Sequence, residues 1–582
     1  SLGASLDRTD AEVRERMKPS GNKRVLRAGL LWLLPAAFLL VFFYQPLLAI
    51  LRLAFSPAFE GGWQGISTVQ VLKPLGFTLW QAALSTLLTL LVGLPAAYLF
   101  SHFDFKGREA LRLLSLLPFI LPTVVVAACF NTLLGPRGWL NLGLMALLNL
   151  PEPPIHMLQS LPAILLAHVF YNTAIIIRLV SSAWSRLDQK LVHAAQMLGA
   201  SPWRAFREVT LPLLLPSITG ASLLVFLFDF TSFGVVLMLG GPQFATLEVE
   251  IYTQALYMLN LRLAAVLSLV QLACTLLVAW LQSRVSQLRY GKAALSAERA
   301  NLRPPRSTAE KAFIGVMVVL LVLLILTPLL SLITRSFVTL EAARGERGQI
   351  QTGFTLRYYQ ELFQNRTGSL FYVPPITAVR NSLTYALLTV LIATILGLLG
   401  AYALNQPWKA NRILEPFFML PLGASAVTLG LGFLVAFRQP AWSGMPFPLL
   451  IPIAHALVAL PMVVRTLLPA LRSIPSSLRQ AASTLGANEQ RVFREVDLPL
   501  LLRPLLVSMV FAFTISLGEF GASSFLSSAQ TPTIPVAIYR YISQPGALNY
   551  GQALAMSSLL LVVCAAGIFL IEKIRLPGEE LY

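Results

Sequence analysis

The stretch GVMVVLLVLLILTPLLSLI, residues 315–333, runs for nineteen positions without a charge. As a helix it is about 28 Å long, close to the thickness of a bilayer's hydrocarbon core. LLWLLPAAFLLVFFYQPLLAIL at 30–51 has the same character. Lipid offers no partner to a stray backbone amide or carbonyl, and the alternating pattern of a barrel strand is missing, so these runs are confined to helices. With 56% hydrophobic and 12% charged residues, a water-soluble domain is excluded as well.

Twelve spans are predicted, near 29–53, 78–101, 111–132, 158–181, 212–239, 260–283, 312–335, 381–404, 413–436, 447–468, 500–524 and 552–573. Basic residues set their orientation. Arg14, Arg16, Lys18, Lys23, Arg24 and Arg27 precede the first span; Lys106 and Arg108 follow the second; Arg284, Arg289, Lys292, Arg299, Arg303 and Arg306 follow the sixth. All fall on one side, which the positive-inside rule makes cytoplasmic, together with both termini. Loops near 54–77, 134–157, 240–259, 337–379, 437–446 and 525–551 then face outward. The net charge of +18 is read as membrane topology and contact with anionic headgroups; the basic residues form no aromatic-lined groove for nucleic acid. Residues 1–28 are polar, and the first apolar run is longer than a cleavable signal's core; Met17 is a candidate start residue. Cys129, Cys274 and Cys564 lie scattered in apolar runs and read as small fillers.

The chain is written twice. HAAQMLGASPWRAFREVTLP (193–212) returns as QAASTLGANEQRVFREVDLP (480–499), with twelve of twenty positions identical. The same offset of 287 carries His168 to His455, Arg178 to Arg465, Phe233-Gly234 to Phe520-Gly521, Thr246 to Thr533 and Tyr252 to Tyr539. Upstream an offset of 304 pairs Gly93 with Gly397 and Ala97-Tyr98 with Ala401-Tyr402. The expected organisation is a tail (1–28), a six-helix repeat (29–283), a polar Pro-Pro-bearing linker (284–311), a second six-helix repeat (312–573) and a short tail (574–582). Six spans is an even number, so both repeats insert the same way up, with a pathway between them.

Each polar segment (185–212 and 472–499) reads as helix, turn, helix on the cytoplasmic side. Ala194, Ala195 and Leu198 give a small apolar face, and Gly199 breaks it. Arg204, Arg207 and Glu208 then share a second face at i, i+3 and i+4, with Phe206 an apolar knob. Ala481, Ala482, Gly486, Arg491, Phe493, Arg494 and Glu495 repeat the pattern. Leu211-Pro212 and Leu498-Pro499 are expected to open the next spans. Two copies in register, each between the fourth and fifth spans of its half, point to docking on cytoplasmic partners.

At these residues the chain resembles the permease subunits of binding-protein-dependent ABC importers. The pattern small-small-x₃-Gly-x₁₁-Leu-Pro is similar to their "EAA" cytoplasmic loop. AHVFYN (167–172), LGGPQFATLEVEIY (239–252) and SLGEFGASSFL (516–526) look like the fused two-repeat members serving ferric iron or thiamine. The Glu opening the family motif is His193 in one copy and Gln480 in the other. The resemblance implies a type I importer fold in the bacterial inner membrane. It also implies that each loop is a coupling helix in a cleft of one of two cytoplasmic ATPase subunits, and that an extracytoplasmic binding protein delivers the cargo. The chain has no GxxxxGK[ST] loop, so no catalytic residue, metal or cofactor is assigned to it; ATP and Mg would belong to the ATPase partners.

Charged groups inside spans are costly and mark candidate pathway residues. Asp229 and Glu519 lie in the fifth span of each repeat, beside Phe233-Gly234 and Phe520-Gly521; the region reads as a gate with a negative lining for a cationic cargo. His168 and His455 read as structural donors. Two other classes of membrane protein carry different marks. A gradient-driven secondary transporter would place several charged groups deep in its helices, and a membrane enzyme would show a motif such as HExxH or GxSxG. The chain has few such charged groups, which leaves the secondary transporter as the alternative, and it has no such motif.

Overall fold

Proline, glycine and hydroxyl residues decide where the long apolar runs stop, bend or close together. The structure, a computed structural model, describes residues 21–56, 67–241, 243–287, 302–339, 353–364, 373–406, 408–438, 442 and 446–574. Residues 1–20 and 575–582 of the expected tails, and 288–301 of the expected linker, lie outside them.

In the first half, α1 (Gly29–Phe55) and α2 (Thr68–His102) are continuous rods. The third span, expected at 111–132, is instead two helices, α3 (Arg108–Ile120) and α4 (Thr123–Leu134), and the chain bends by 109° between Arg108–Ile120 and the segment Thr123–Leu148. Pro122 between them forces Leu121 out of helical conformation. α5 (Leu161–Ser185), α6 (Gln189–Met197) and α7 (Pro202–Phe230) follow. The expected fifth span at 212–239 ends early, at Phe230, and resumes as a short helix, α8 (Gly234–Leu239). A buried helix, α9 (Leu247–Leu256), lies within the expected outward loop 240–259, and α10 (Leu261–Gln287) closes the repeat.

The second half has the same order: α11 (Thr308–Ser336), α12 (Pro375–Asn405), α13 (Asn411–Met419), α14 (Ala426–Phe437), α15 (Leu450–Ser473), α16 (Ser476–Thr484), α17 (Glu489–Gly518), α18 (Gly521–Leu526), α19 (Ile534–Ser543) and α20 (Ala547–Ile574). The ninth span is bent by 97° around Gly423–Ser425. Among the described residues ten helices are long and apolar enough to cross a membrane, and twelve if each bent pair counts as one span.

Equivalent contacts make the repeat visible. Gly93 lets α2 approach α5 until an added Cβ would lie 2.6 Å from Ile176; Gly397 does the same for α12 and α15, with Val463 at 2.5 Å. Thr78 of α2 takes the Leu247 amide at 2.9 Å, and its counterpart Ser382 of α12 takes the Ile534 amide at 2.8 Å. The first helix of each repeat packs on the other repeat. Trp32 of α1 donates to Asn411 Oδ1 at 3.1 Å and meets the edge of Phe418. Ser331 of α11 donates to Thr132 of α4 at 3.1 Å. The end of the linker is tied down beside α2: Asp104 donates to the Arg303 carbonyl at 2.9 Å, and Arg303 forks onto Glu310.

Gly397→Val is expected to destabilise the purified protein by about 1–3 kcal/mol through overpacking. Gly315→Val, where an added Cβ meets nothing within 4 Å, should leave the thermal midpoint unchanged.

Candidate functional site

The repeated loops fold alike, from the same chemistry. In the first, Asp188 caps α6 by accepting the Lys190 amide at 2.9 Å. The helix closes at Gly199, whose φ of +89° suits glycine. The Leu198 amide bonds the Ala194 carbonyl and the Ala200 amide the Ala195 carbonyl. The second loop repeats this with Leu485 to Ala481, Ala487 to Ala482 and Gly486 at +82°. Ser201 and Asn488 then cap the next helix by accepting the Arg204 and Arg491 amides.

That helix was expected to be separate from the span after it. It is continuous with it, through one π-helical turn at Phe206–Thr210 and an equivalent turn at Phe493–Asp497. The charges sit as expected: Arg204 Nε lies 3.1 Å from Glu208, which also faces Arg207 at 3.5 Å, and Arg491 Nε lies 2.8 Å from Glu495, all exposed. Arg494 is exposed too.

Phe206 and Phe493 depart from their expected role as outward knobs. Phe206 stacks between Trp184 and Trp203, at 6.2 and 5.6 Å, and Phe493 packs on Tyr402 at 5.8 Å. Burying a ring against its own repeat is favoured over holding it in water. The outward apolar groups are Leu198 (90% exposed), Met197 (88%) and Leu485 (87%). Leu198 and Leu485 are repeat mates beside the glycine turn. Their invariance between copies was the available signal, and side-chain direction hid it.

The loops also differ. Asp497 is buried and accepts from Arg479 Nε at 2.7 Å and Tyr402 Oη at 3.1 Å. The first loop has Thr210 and Val192 at those positions and relies on the Trp184 stack.

At the far ends of α7 and α17 the repeats meet. Phe233 and Phe520 stack with centroids 5.1 Å apart. Tyr252 of α9 packs on Phe233 at 5.2 Å, and its mate Tyr539 of α19 packs on Phe520 at 5.5 Å. Gly234 leaves no room for a Cβ beside Thr123, and one on Gly521 would lie 2.9 Å from Ala426. Four rings therefore pack together where the repeats meet. In the sequence the two tyrosines stand out only as a repeat pair.

Asp229 and Glu519 do not line an opening in this arrangement. Asp229 is turned into its own repeat, where Asn172 donates to it at 2.6 Å and His168 Nδ1 lies 3.3 Å away; Gln81 donates to its carbonyl at 2.8 Å. Glu519 accepts the Ala522 and Ser523 amides at 2.9 and 3.0 Å and faces His455 Nε2 at 3.1 Å. A carboxylate held at a helix start is satisfied by these groups and the helix dipole. A further acid, Glu248 of α9, is buried and takes a hydrogen bond from Gln271. Repeat two has Pro535 there, so the internal comparison gave no pairing to flag it. Among the described residues no three His, Cys, Asp or Glu side chains come together as a metal set.

Two parallel helical repeats, each with an exposed polar loop at one end and half of an aromatic closure at the other, define a multi-pass translocation subunit. The family described as "Binding-protein-dependent transport system inner membrane component" matches residues 89–289 and 393–574, and the chain belongs to that family. It is an inner-membrane permease of the ABC importer type. Similar proteins include the thiamine transport system permease protein ThiP of Escherichia coli strain K12, 29% identical over 87% of this chain and 89% of that protein. The ThiP protein of Salmonella typhimurium strain LT2 is 28% identical over 94% and 97%. A probable ABC transporter permease of Sinorhizobium fredii is 26% identical over 92% and 94%.

Asp497→Ala should loosen the second loop alone, since Arg479 loses its carboxylate at a cost of about 1–3 kcal/mol. Limited trypsinolysis is expected to cut faster after Arg479, with cutting after Arg204 unchanged.

Proposed function

We propose that this chain forms the path by which an ATP-driven importer moves a thiamine-like organic cation inward. Two separate ATPase subunits bind ATP and Mg, one seated on each repeated loop, and an extracytoplasmic binding protein presents the cargo. Both termini and both loops face the cytoplasm. The observation that carries the reading is the pair of matched loops, each projecting an exposed leucine beside a glycine-closed turn and a charged face. An exposed leucine next to an Arg–Glu pair suits a cleft that buries one apolar anchor inside a polar rim. The loops lead directly into α7 and α17, which end at the stacked rings. Closing two ATPase subunits would draw the loops together and part Phe233 from Phe520.

The thiamine-like cargo is supported by relatives named for thiamine transport that align over most of the chain. The four rings at the closure supply π faces suited to a cationic aromatic solute.

The test is assembly and uptake in one preparation. Leu198→Asp and Leu485→Asp are each expected to reduce co-purification of the ATPase by about tenfold or more, because a charge replaces a buried anchor. Their thermal midpoints should stay at the native value. Proteoliposomes carrying the complex should take up labelled thiamine with its binding protein and ATP. Uptake of ferric iron instead, through an iron-binding protein, would overturn the cargo assignment. ATPase association unaffected by both substitutions would overturn the docking assignment.

A further inference from the structure

Each repeat stands a histidine over the break in its fifth helix, and both ring nitrogens are engaged. His168 Nδ1 lies 2.9 Å from Ser85 Oγ and 3.3 Å from Asp229 Oδ1, while Nε2 lies 2.8 Å from Ser232 Oγ. His455 Nδ1 lies 2.8 Å from Ser516 Oγ, while Nε2 lies 3.1 Å from Glu519 Oε2 and 2.8 Å from Ser523 Oγ. The offset of 287 pairs Asp229 with Ser516 and Ser232 with Glu519. The same two positions therefore flank the ring in both repeats. One holds a carboxylate and the other a serine, and the repeats hold them in opposite order. The carboxylate has changed sides of the imidazole while the histidine has stayed. Beyond the histidine, what the two halves share is the three-part set and not a carboxylate at one position.

The placement gives the set a mechanical meaning. His168 lies on α5 and Asp229 on α7, the two helices that the first loop joins at the opposite end. His455 on α15 and the break after α17 stand in the same relation to the second loop. Each repeat is thus a closed frame, with the loop at one end and the histidine at the other. Phe233 follows Ser232 directly, and Phe520 follows Glu519. The bonded set is buried throughout, so its polar bonds face no competition from water.

We propose that His168–Asp229–Ser232 and His455–Ser516–Glu519 are positioning clamps. They make each helix pair turn as one body, so that a displacement imposed on a loop arrives at the Phe233–Phe520 stack. This rests on the reading of the loops as ATPase seats. The clamps touch neither cargo nor nucleotide.

The experiment uses the complete transporter, chain plus ATPase subunits and binding protein, in proteoliposomes. ATP hydrolysis and thiamine uptake are measured on the same sample. Asp229→Ser and Glu519→Ser should leave assembly and hydrolysis in place but lower transport per ATP by about tenfold, the scale on which residues between sites modulate coupling. Exchanging the pair should restore it: Asp229→Ser with Ser232→Glu, and Glu519→Ser with Ser516→Asp, are each expected to return to within about threefold of the native ratio. If a serine variant fails to fold, Asp229→Asn and Glu519→Gln, which keep the shape and put a donor nitrogen where an acceptor oxygen stood, should uncouple in its place. Native coupling in the folded single variants overturns the proposal, as does an exchange no better than its single variant. A native assembly that shows no ATP-dependent uptake of any cargo brings down the importer reading, and the clamps with it. Normal co-purification with lost coupling separates a failure of the clamp from a failure of docking.

Discussion

A helix that stops inside a packed apolar core leaves amides and carbonyls that its surroundings cannot meet. The centre of this protein is arranged around two such stops, after Phe230 and after Gly518. The groups they leave are taken internally. Thr231 bonds back to Leu227, and the Gln81 side chain reaches the Asp229 carbonyl. At the second stop the Glu519 carboxylate gathers the amides of Ala522 and Ser523. With the backbone satisfied, the chain can turn sharply and bring Phe233 and Phe520 face to face. The closure exists because the breaks are solved chemically.

The sequence carried the large features because they rest on repetition and hydropathy. The number of spans, the repeat, the turn at Gly199 and Gly486 and the charged face of each loop could all be read without coordinates. The bends at Leu121-Pro122 and Gly423–Ser425 were also written there, as Pro and Gly. Continuous hydropathy masked them, since an apolar helix scores the same straight or bent. The break at Thr231–Phe233 has no proline, and its only mark is a short cluster of Thr, Ser and Gly. Side-chain direction was not legible. Phe206 turns inward because Trp184, twenty-two residues earlier, offers it a stacking surface. No local pattern encodes that meeting.

The repeats are alike in backbone and unlike in reinforcement. One loop is held by stacked rings, the other by Asp497 between Arg479 and Tyr402. Stacking tolerates sliding, whereas an ion pair with a phenol hydrogen bond fixes direction. The two matched loops thus rest on supports of different stiffness, and an equal displacement of both would meet an asymmetric response. Glu248, which has no counterpart in the second repeat, adds a similar asymmetry at the other end.

The exchange of first helices between repeats also governs how the protein is made. Trp32 meets its partner Asn411 379 positions later in the chain. At ordinary bacterial translation speeds that is an interval of about 20 to 75 seconds. Throughout it the opening helix sits in the bilayer with its Trp32 face uncovered, open to capture by insertion factors or by a proteolytic quality-control enzyme. A ribosome stalled midway would release a product whose Trp32 face has no partner, although Ile50 and Ala54 could still meet Ala265 of the same repeat. The cell could recognise an unfinished copy by that waiting surface alone.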